Sequence, residues 1–344
     1  MFAAERVGGV GDRLVADIST ETGKLAAVAD AFGGYRVAVL VPCYNEAVAV
    51  AQVVRDFAAA LPQATVFVYD NNSTDDTVSV ARAAGAEVFR ETRQGKGFVV
   101  RRMFTDIEAD IYVLVDGDAT YDAPSAPRMI ARLIEDRCDM VVGIRVDQAV
   151  AAYRAGHRTG NRLLTGFVAN VFGRSFTDML SGYRVFSRRF VKSFPLLSAG
   201  FEIETELTIH ALELGLAVAE IETPYYARPE GSESKLSTWS DGFRILWTII
   251  QLYRSERPMR FFGAFALAFG VAALGFAVPV FITYAETGLV PRLPTAVLST
   301  GLMLAACLSF AVGLILDTVS RGRREMKLLA YLSHRAPGAE KRSS

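Results

Sequence analysis

Apolar positions change their period along the chain, and each change marks an element. Residues 36–41, RVAVLV, are an apolar, β-branched run closed by Pro42, the pattern of a buried strand. Over 46–60 the period lengthens. Val50, Val53, Val54 and Phe57 fall three and four apart in an alanine-rich stretch, which predicts a helix. The alternation then repeats. TVFVYD (65–70) reads as a strand, STDDTVSVARAAGA (73–86) as a helix opened by a Ser/Asp cap, and AEVFR (86–90) as a strand. GKGFVVRRMFTDI (95–107) reads as a helix and DIYVLVDGD (110–118) as a strand. APRMIARLIED (126–136) is again a helix, and CDMVVGIR (138–145) again a strand. Strands and helices alternating at this spacing predict an α/β fold with a Rossmann-like, mostly parallel sheet covered on both faces. Ligands of such sheets collect beyond the carboxyl ends of the strands. Glu46, Asp70, Asp116 and Asp118 fall there, which marks them as candidate site residues.

Farther along, the pattern loses its polar half. Residues 261–284 and 294–316 carry no charge, and each is longer than the roughly 20 residues that cross a hydrocarbon core as a helix. Two transmembrane helices joined by a short loop are expected. Arg254, Arg257 and Arg260 precede the first, and Arg321, Arg323, Arg324 and Lys327 follow the second, whereas the loop offers only Arg292. The positive-inside rule then puts both ends, and the domain before the spans, on the cytoplasmic side of a plasma (inner) membrane. The organisation expected is an N-terminal extension (1–34), a catalytic domain (35–235), a juxtamembrane amphipathic helix (236–260), the two spans and a cytoplasmic tail (317–344). The extension contains Glu5, Asp12, Asp17 and Glu21 and no apolar core, so it does not read as a secretory signal. Arg154, Arg158 and Arg162, followed by an apolar stripe from Leu163 to Phe172, predict an interfacial helix. A second stripe of Phe243, Leu246, Trp247 and Ile250 leads into the first span. The alternative for these stripes is a helix packed on the sheet.

Composition narrows little. The 37 basic and 37 acidic residues balance, so overall charge argues neither for nor against an acidic partner, and no nucleic-acid partner is expected. Cys43, Cys138 and Cys307 lie far apart without metal-ligand spacing, which favours a reducing compartment over a disulfide framework or zinc site. The turn after the first strand is PCYNEA, without the G-x-G-x-x-G of a dinucleotide site. A phosphate loop, a zinc-protease motif and a nucleophile elbow are absent as well.

The chemistry concentrates in YVLVDGDATYD (112–122). Asp116 and Asp118 straddle a glycine, so a sharp turn can bring both carboxylates toward one point, a hard oxygen pair suited to Mg2+ or Mn2+. A plain strand-to-helix turn is the alternative. Asp122 is expected to cap the helix that follows. With Asp70 ending a neighbouring strand and Lys96 lying between, the set has the parts of a nucleotide-diphosphate site.

VPCYNE (41–46), YDNNSTDDT (69–77), GKG (95–97) and DGD (116–118) occur in the order and spacing of the family 2 inverting glycosyltransferases. TDMLSGYRVFSRR (177–189), GFEIETEL (200–207) and EGSESKLSTWSDGFRIL (230–246) extend the likeness. Over roughly residues 36–260 the chain resembles the polyprenyl-phosphate glycosyltransferases, the group that includes dolichyl-phosphate mannose synthase. The resemblance implies a GT-A-type fold. It assigns Pro42, Tyr44, Glu46 and Asp70 to the nucleoside, Lys96 to the donor, and Asp116 and Asp118 to metal and diphosphate. Some relatives carry a glutamine as a third metal ligand where this chain has Thr120. Asp178 becomes an acceptor-side acid, and Glu204 is the acid of its segment expected to meet the sugar. An anionic lipid phosphate attacks without much help from a base, so charge stabilisation and alignment dominate, and Arg145, Arg184 and Lys235 are the candidate phosphate contacts. The alternative for each is a solvated surface charge.

The function implied is transfer of one sugar, with inversion, from a UDP- or GDP-hexose to a polyprenyl (undecaprenyl-type) phosphate in the membrane, for envelope glycans such as lipopolysaccharide. The alternatives are a polysaccharide-elongating synthase and a non-catalytic membrane scaffold. The first is disfavoured because no Q-x-x-R-W-type motif occurs, the second because the DGD pair is intact. The anchored hairpin also leaves surface for a homo-oligomer.

Overall fold

The computed structural model describes residues 34–147, 166, 176–195, 202–229, 247, 250, 251 and 253–337. They fall into two compact units, Met1–Leu236 with Leu329–Ser344, and Ser237–Leu328. The first is built on a seven-stranded sheet. In chain order its elements are β1 (Val37–Cys43), α1 (Val50–Ala60), β2 (Thr65–Asp70), α2 (Thr77–Ala83), β3 (Glu87–Arg90), α3 (Lys96–Asp106) and β4 (Ile111–Leu114). They continue through a 3-10 turn (Ala123–Ser125), α4 (Ala126–Glu135), β5 (Met140–Asp147), β6 (Arg184–Ser187), α5 (Arg188–Ser193), α6 (Ile203–Leu214) and β7 (Val218–Tyr225). The strand order is β3-β2-β1-β4-β6-β5-β7. All strands run parallel except β6, which inserts antiparallel to both β4 and β5.

The apolar runs are unbroken because both sheet faces are covered. Val39, Val41, Val68 and Val113 join Val53 and Phe57 of α1 and Met129, Ile130 and Leu133 of α4 in one core. On the other face the Phe104 ring of α3 meets Tyr112 and Phe186 edge-on, and Phe186 stacks on Phe190 of α5. Two helices start later than the sequence predicts. Residues 46–49 form a turn after Asn45, whose φ is 53°, so α1 begins at Val50. Ser73, Thr74 and Asp75 bond across to the β1 loop, so α2 begins only at Thr77; its N-cap residue Asp76 makes no side-chain cap, and the Asp75 carboxylate takes the Thr77 amide.

The second unit contains α7 (Pro258–Thr287) and the start of α8 (Leu293–Leu332), both long and apolar enough to cross a membrane, with mean hydropathies of 2.4 and 2.2 over an 18-residue apolar stretch of each. Ser299 donates to the Ala273 carbonyl at 2.8 Å, and a Cβ on Gly313 would lie 3.1 Å from that of Phe262, so the two helices pack closely. At about 1.5 Å per residue, a 40-residue helix is about twice as long as a bilayer core is thick, and its charged turns from Asp317 onward lie beyond the apolar stretch. Of the predicted juxtamembrane stripe, Trp247 and Ile250 are helical and exposed. Phe243, Leu246, the Arg154–Arg162 series and the 163–172 stripe lie outside the described residues, apart from residue 166.

Candidate active site

The site lies where β1, β2 and β4 end. Each strand is followed by a residue in the left-handed region: Asn45 (φ 53°), Asn72 (φ 64°) and Ala119 (φ 58°). Asparagine tolerates this conformation and alanine does so only under strain, which the flanking contacts of Ala119 must hold in place.

On the β1–β2 side the loops are tied through backbone amides. Cys43 and Asp70 sit side by side at the strand ends. Glu46, 8 % exposed, donates its N–H to Thr77 Oγ1, and Asp75 accepts from the amides of Ala47 and Thr77. Burial opposes these bonds, but together they hold the Asp75 carboxyl below the usual range. Asp70 is buried and accepts from the Ser73 amide, with Arg90 at 3.9 Å. Asn71 is buried and donates to the carbonyls of Glu91 and Arg93, while its Oδ1 accepts from the Gly95 amide at 2.7 Å. That clamp fixes the turn that launches Lys96. Pro42 presents its carbonyl to Gly117, 3.5 Å from where a Cβ would stand, and Tyr44 is exposed at the rim.

On the β4 side the ties are ionic. Lys96 Nζ lies 2.5 Å from both Asp116 Oδ1 and Glu204 Oε1. Burial pulls this ammonium down, but the two carboxylates outweigh it and hold it above its ordinary value. Asp118, 4 % exposed, accepts from the Thr120 hydroxyl at 2.6 Å on Oδ1 and pairs with Arg228 at 2.6 Å on Oδ2. Burial, then the charge of Asp116, push its carboxyl up against the pull of Arg228. Two glycines make this geometry possible. A Cβ on Gly117 would stand 2.6 Å from Cys43 Sγ, and one on Gly182 would stand 2.5 Å from Asp116 Oδ2. The DGD turn is therefore pressed between β1 and the segment entering β6.

Beside it, Arg145 grips Asp178 through two bonds of 2.7 and 2.8 Å, with Tyr225 under the guanidinium at 5.6 Å. Burial raises the Asp178 carboxyl, but the hydrogen bonds and charge of Arg145 win and lower it. Arg184 departs from expectation. It is fully buried, donating to the carbonyls of Ser181 and Met179 and to Thr208 Oγ1, and burial lowers it to about 10. Its donors tie α6 and the 179–181 turn together and face no open cleft. Asp122 likewise caps no backbone amide with its side chain, which accepts from the Ser125 and Tyr226 hydroxyls. Lys235 lies outside the described residues.

Arg228 is the residue that sequence reading missed. The Tyr121–Tyr225 bridge and the Tyr226 amide on the Thr120 carbonyl lace the exit of β7 to the DGD loop, which delivers Arg228 to Asp118. The available signal was a basic residue just past VAEIETPY (218–225), a run whose Glu220 and Glu222 alternate with Ala219 and Ile221, as suits the edge strand β7. Thr120 is no stand-in for a third carboxamide ligand. Its hydroxyl orients Asp118.

The two adjacent carboxylates, one buried and both already facing cations, fit a divalent cation as two oxygen ligands. Among the described residues no group of three or more His, Cys, Asp or Glu side chains converges, so protein ligands alone would not fill its shell.

The glycosyl transferase family 2 profile matches residues 38–194. Glycosyltransferase AglJ of Haloferax volcanii is 33 % identical over 299 residues, 86 % of this chain and 98 % of that protein. The chain belongs to glycosyltransferase family 2. A dolichyl-phosphate hexose transferase of the same organism is 27 % identical over 221 residues, covering 64 % of this chain and 95 % of its own length. The fold is shared with glucosyl-3-phosphoglycerate synthase from Mycobacterium tuberculosis, crystallised with Mn2+, UDP-glucose and phosphoglyceric acid. There the TM-score is 0.55 at 22 % identity, over 66 % of this chain and 83 % of that one. This family 2 chain is thus a glycosyltransferase of GT-A architecture followed by two apolar helices.

Proposed function

We propose that this glycosyltransferase moves one hexose, with inversion, from a UDP- or GDP-sugar to a polyprenyl phosphate at the cytoplasmic face of the plasma membrane. The observation that carries the reading is the pair Asp116 and Asp118, set between Lys96 and Arg228 at the carboxyl edge of the sheet. The likeness to a dolichyl-phosphate hexose transferase and the two apolar helices support a lipid-phosphate acceptor. The Mn2+ and UDP-glucose bound by the structural neighbour support a metal-dependent, nucleotide-sugar donor.

In this reading Asp70 and Glu46 hold the nucleoside in the rigid β1–β2 loops. Asp116 and Asp118 would hold Mg2+ or Mn2+, which would neutralise charge on the departing diphosphate. Lys96 and Arg228 leave their carboxylates for the donor phosphates as that charge is matched. Arg145, fixed in orientation by Asp178, aligns the incoming lipid phosphate, and Glu204 faces the sugar once Lys96 has shifted. The acceptor is already anionic, so no side chain need remove a proton from it.

The test is incubation of membranes containing the protein with a panel of labelled UDP- and GDP-hexoses, with and without EDTA, followed by lipid extraction. Metal-dependent label in one mild-acid-labile lipid is expected. Label in a growing polymer, or in no lipid with any donor, overturns the reading.

A further inference from the structure

The opposite, amino-terminal edge of the sheet carries a cluster that the reaction does not use. Asp139, just before β5, is fully buried, and four donors converge on its carboxylate. Ser187 Oγ and Arg189 Nε reach Oδ1 at 2.8 and 2.5 Å, and Arg189 Nη2 and the Tyr331 hydroxyl both reach Oδ2 at 2.9 Å. The Arg189 guanidinium also lies 4.6 Å from the centre of the Tyr331 ring. Tyr331 therefore engages both members of the ion pair, one through its hydroxyl and the other through its ring face. Tyr331 stands near the end of α8, and Leu329–Ser344 group with the sheet, whereas Ser237–Leu328 form the other unit.

We propose that Asp139 and Arg189 form a socket for Tyr331, and that residues 329–337 are a strap closing the catalytic unit on itself. The apolar hairpin is then an insertion within that unit, held at both of its ends, and not an appendage hung from one. The occupant is fixed by chemistry. A carboxylate paired with arginine keeps lone pairs that a hydroxyl can fill, as Ser187 and Tyr331 do here, and an arginine face takes an aromatic ring. Tyr331 supplies both. The socket opens onto β6, whose other end leads into Gly182 and Asp116, so the strap reinforces the strand on which the DGD turn rests.

Hydrogen exchange on the full-length protein in nanodiscs tests this. Tyr331→Ala is expected to speed exchange about tenfold or more at the Ser187 and Phe190 amides and at residues 329–333, with Tyr331→Phe, which keeps the ring, in between. If Tyr331→Ala does not fold, Tyr331→Phe is judged by the same amides. Exchange at Ser187 and Phe190 within twofold of wild type overturns the proposal. So does protection of these amides that falls on dilution, since the socket would then hold the Tyr331 of a second copy.

Discussion

Around the ends of β1 and β2, side chains bond to backbone. Asn71 grips the Glu91–Gly95 turn, Asp75 holds two amides and Thr77 holds the Glu46 N–H. Around β4, β5 and β7, carboxylates bond to cationic side chains, as in Lys96 with Asp116 and Glu204, Arg228 with Asp118, and Arg145 with Asp178. Backbone ties define a shape that no small ion can alter. Ion pairs define a charge balance that another cation can redraw. On the function proposed above, a site that recognises an unchanging nucleoside and then accepts a metal and two phosphates gains from having one side of each kind.

The comparison breaks most sharply at Asp118. Asp118→Asn keeps the Thr120 contact but removes the charge facing Arg228, and transfer should fall on the order of 1000-fold while the melting temperature holds. Steady-state rates set beside a thermal melt check this, and retained transfer removes the metal role. Asp178→Asn comes next, because it strands the largely buried Arg145 guanidinium. A loss of about 3 kcal/mol in unfolding free energy is expected by denaturant titration.

The same variant has a pH signature. Since Asp178 has a lowered carboxyl in the fold, its stabilisation is complete above the ordinary carboxylate value and disappears as pH falls through the lowered one. Wild type should therefore lose stability on acidification more steeply than Asp178→Asn, read from melts across an acid series. On the backbone-tied side, Asn71→Ala leaves the Gly95 amide and two carbonyls without their partner. About 2 kcal/mol is expected, with the donor KM rising more than kcat falls and with little dependence on salt. Thr120→Val is the mildest change. Losing one hydroxyl bond to Asp118 should cost about 1 kcal/mol and reduce transfer about tenfold, with donor binding nearly unchanged.

Much of this was legible in the chain. The parallel β1–β4 half announced itself because strands buried on both faces read as apolar runs, and its acids fell at predictable ends. Gly117 was legible as a sharp turn, but not as the place where Cys43 Sγ comes close, since that contact joins two strands. Arg184 misled because its surroundings, Thr208 and the 179–181 carbonyls, come from other elements, and only folding reveals that its donors are taken. The partners of Arg228 and Tyr331 were hidden for the same reason. One depends on how β7 crosses the DGD loop, the other on a contact between Asp139 and a residue near the far end of the chain.

The antiparallel insertion of β6 also orders events during synthesis. β1 to β4 pair within the first part of the chain, so the loops after β1 and β2 can take shape while the remainder is still on the ribosome. β4 gains its other neighbour only when β6 arrives, much later, and until then Asp116 lacks the Gly182 backbone against which it is set. The apolar helices follow later still. Nascent protein is thus expected to complete the β1–β2 side of the site before the β4–β6 side, and to become a competent enzyme only as its hydrophobic segments leave the exit tunnel. Active-site completion and membrane insertion would then be neighbouring steps of a single biogenesis.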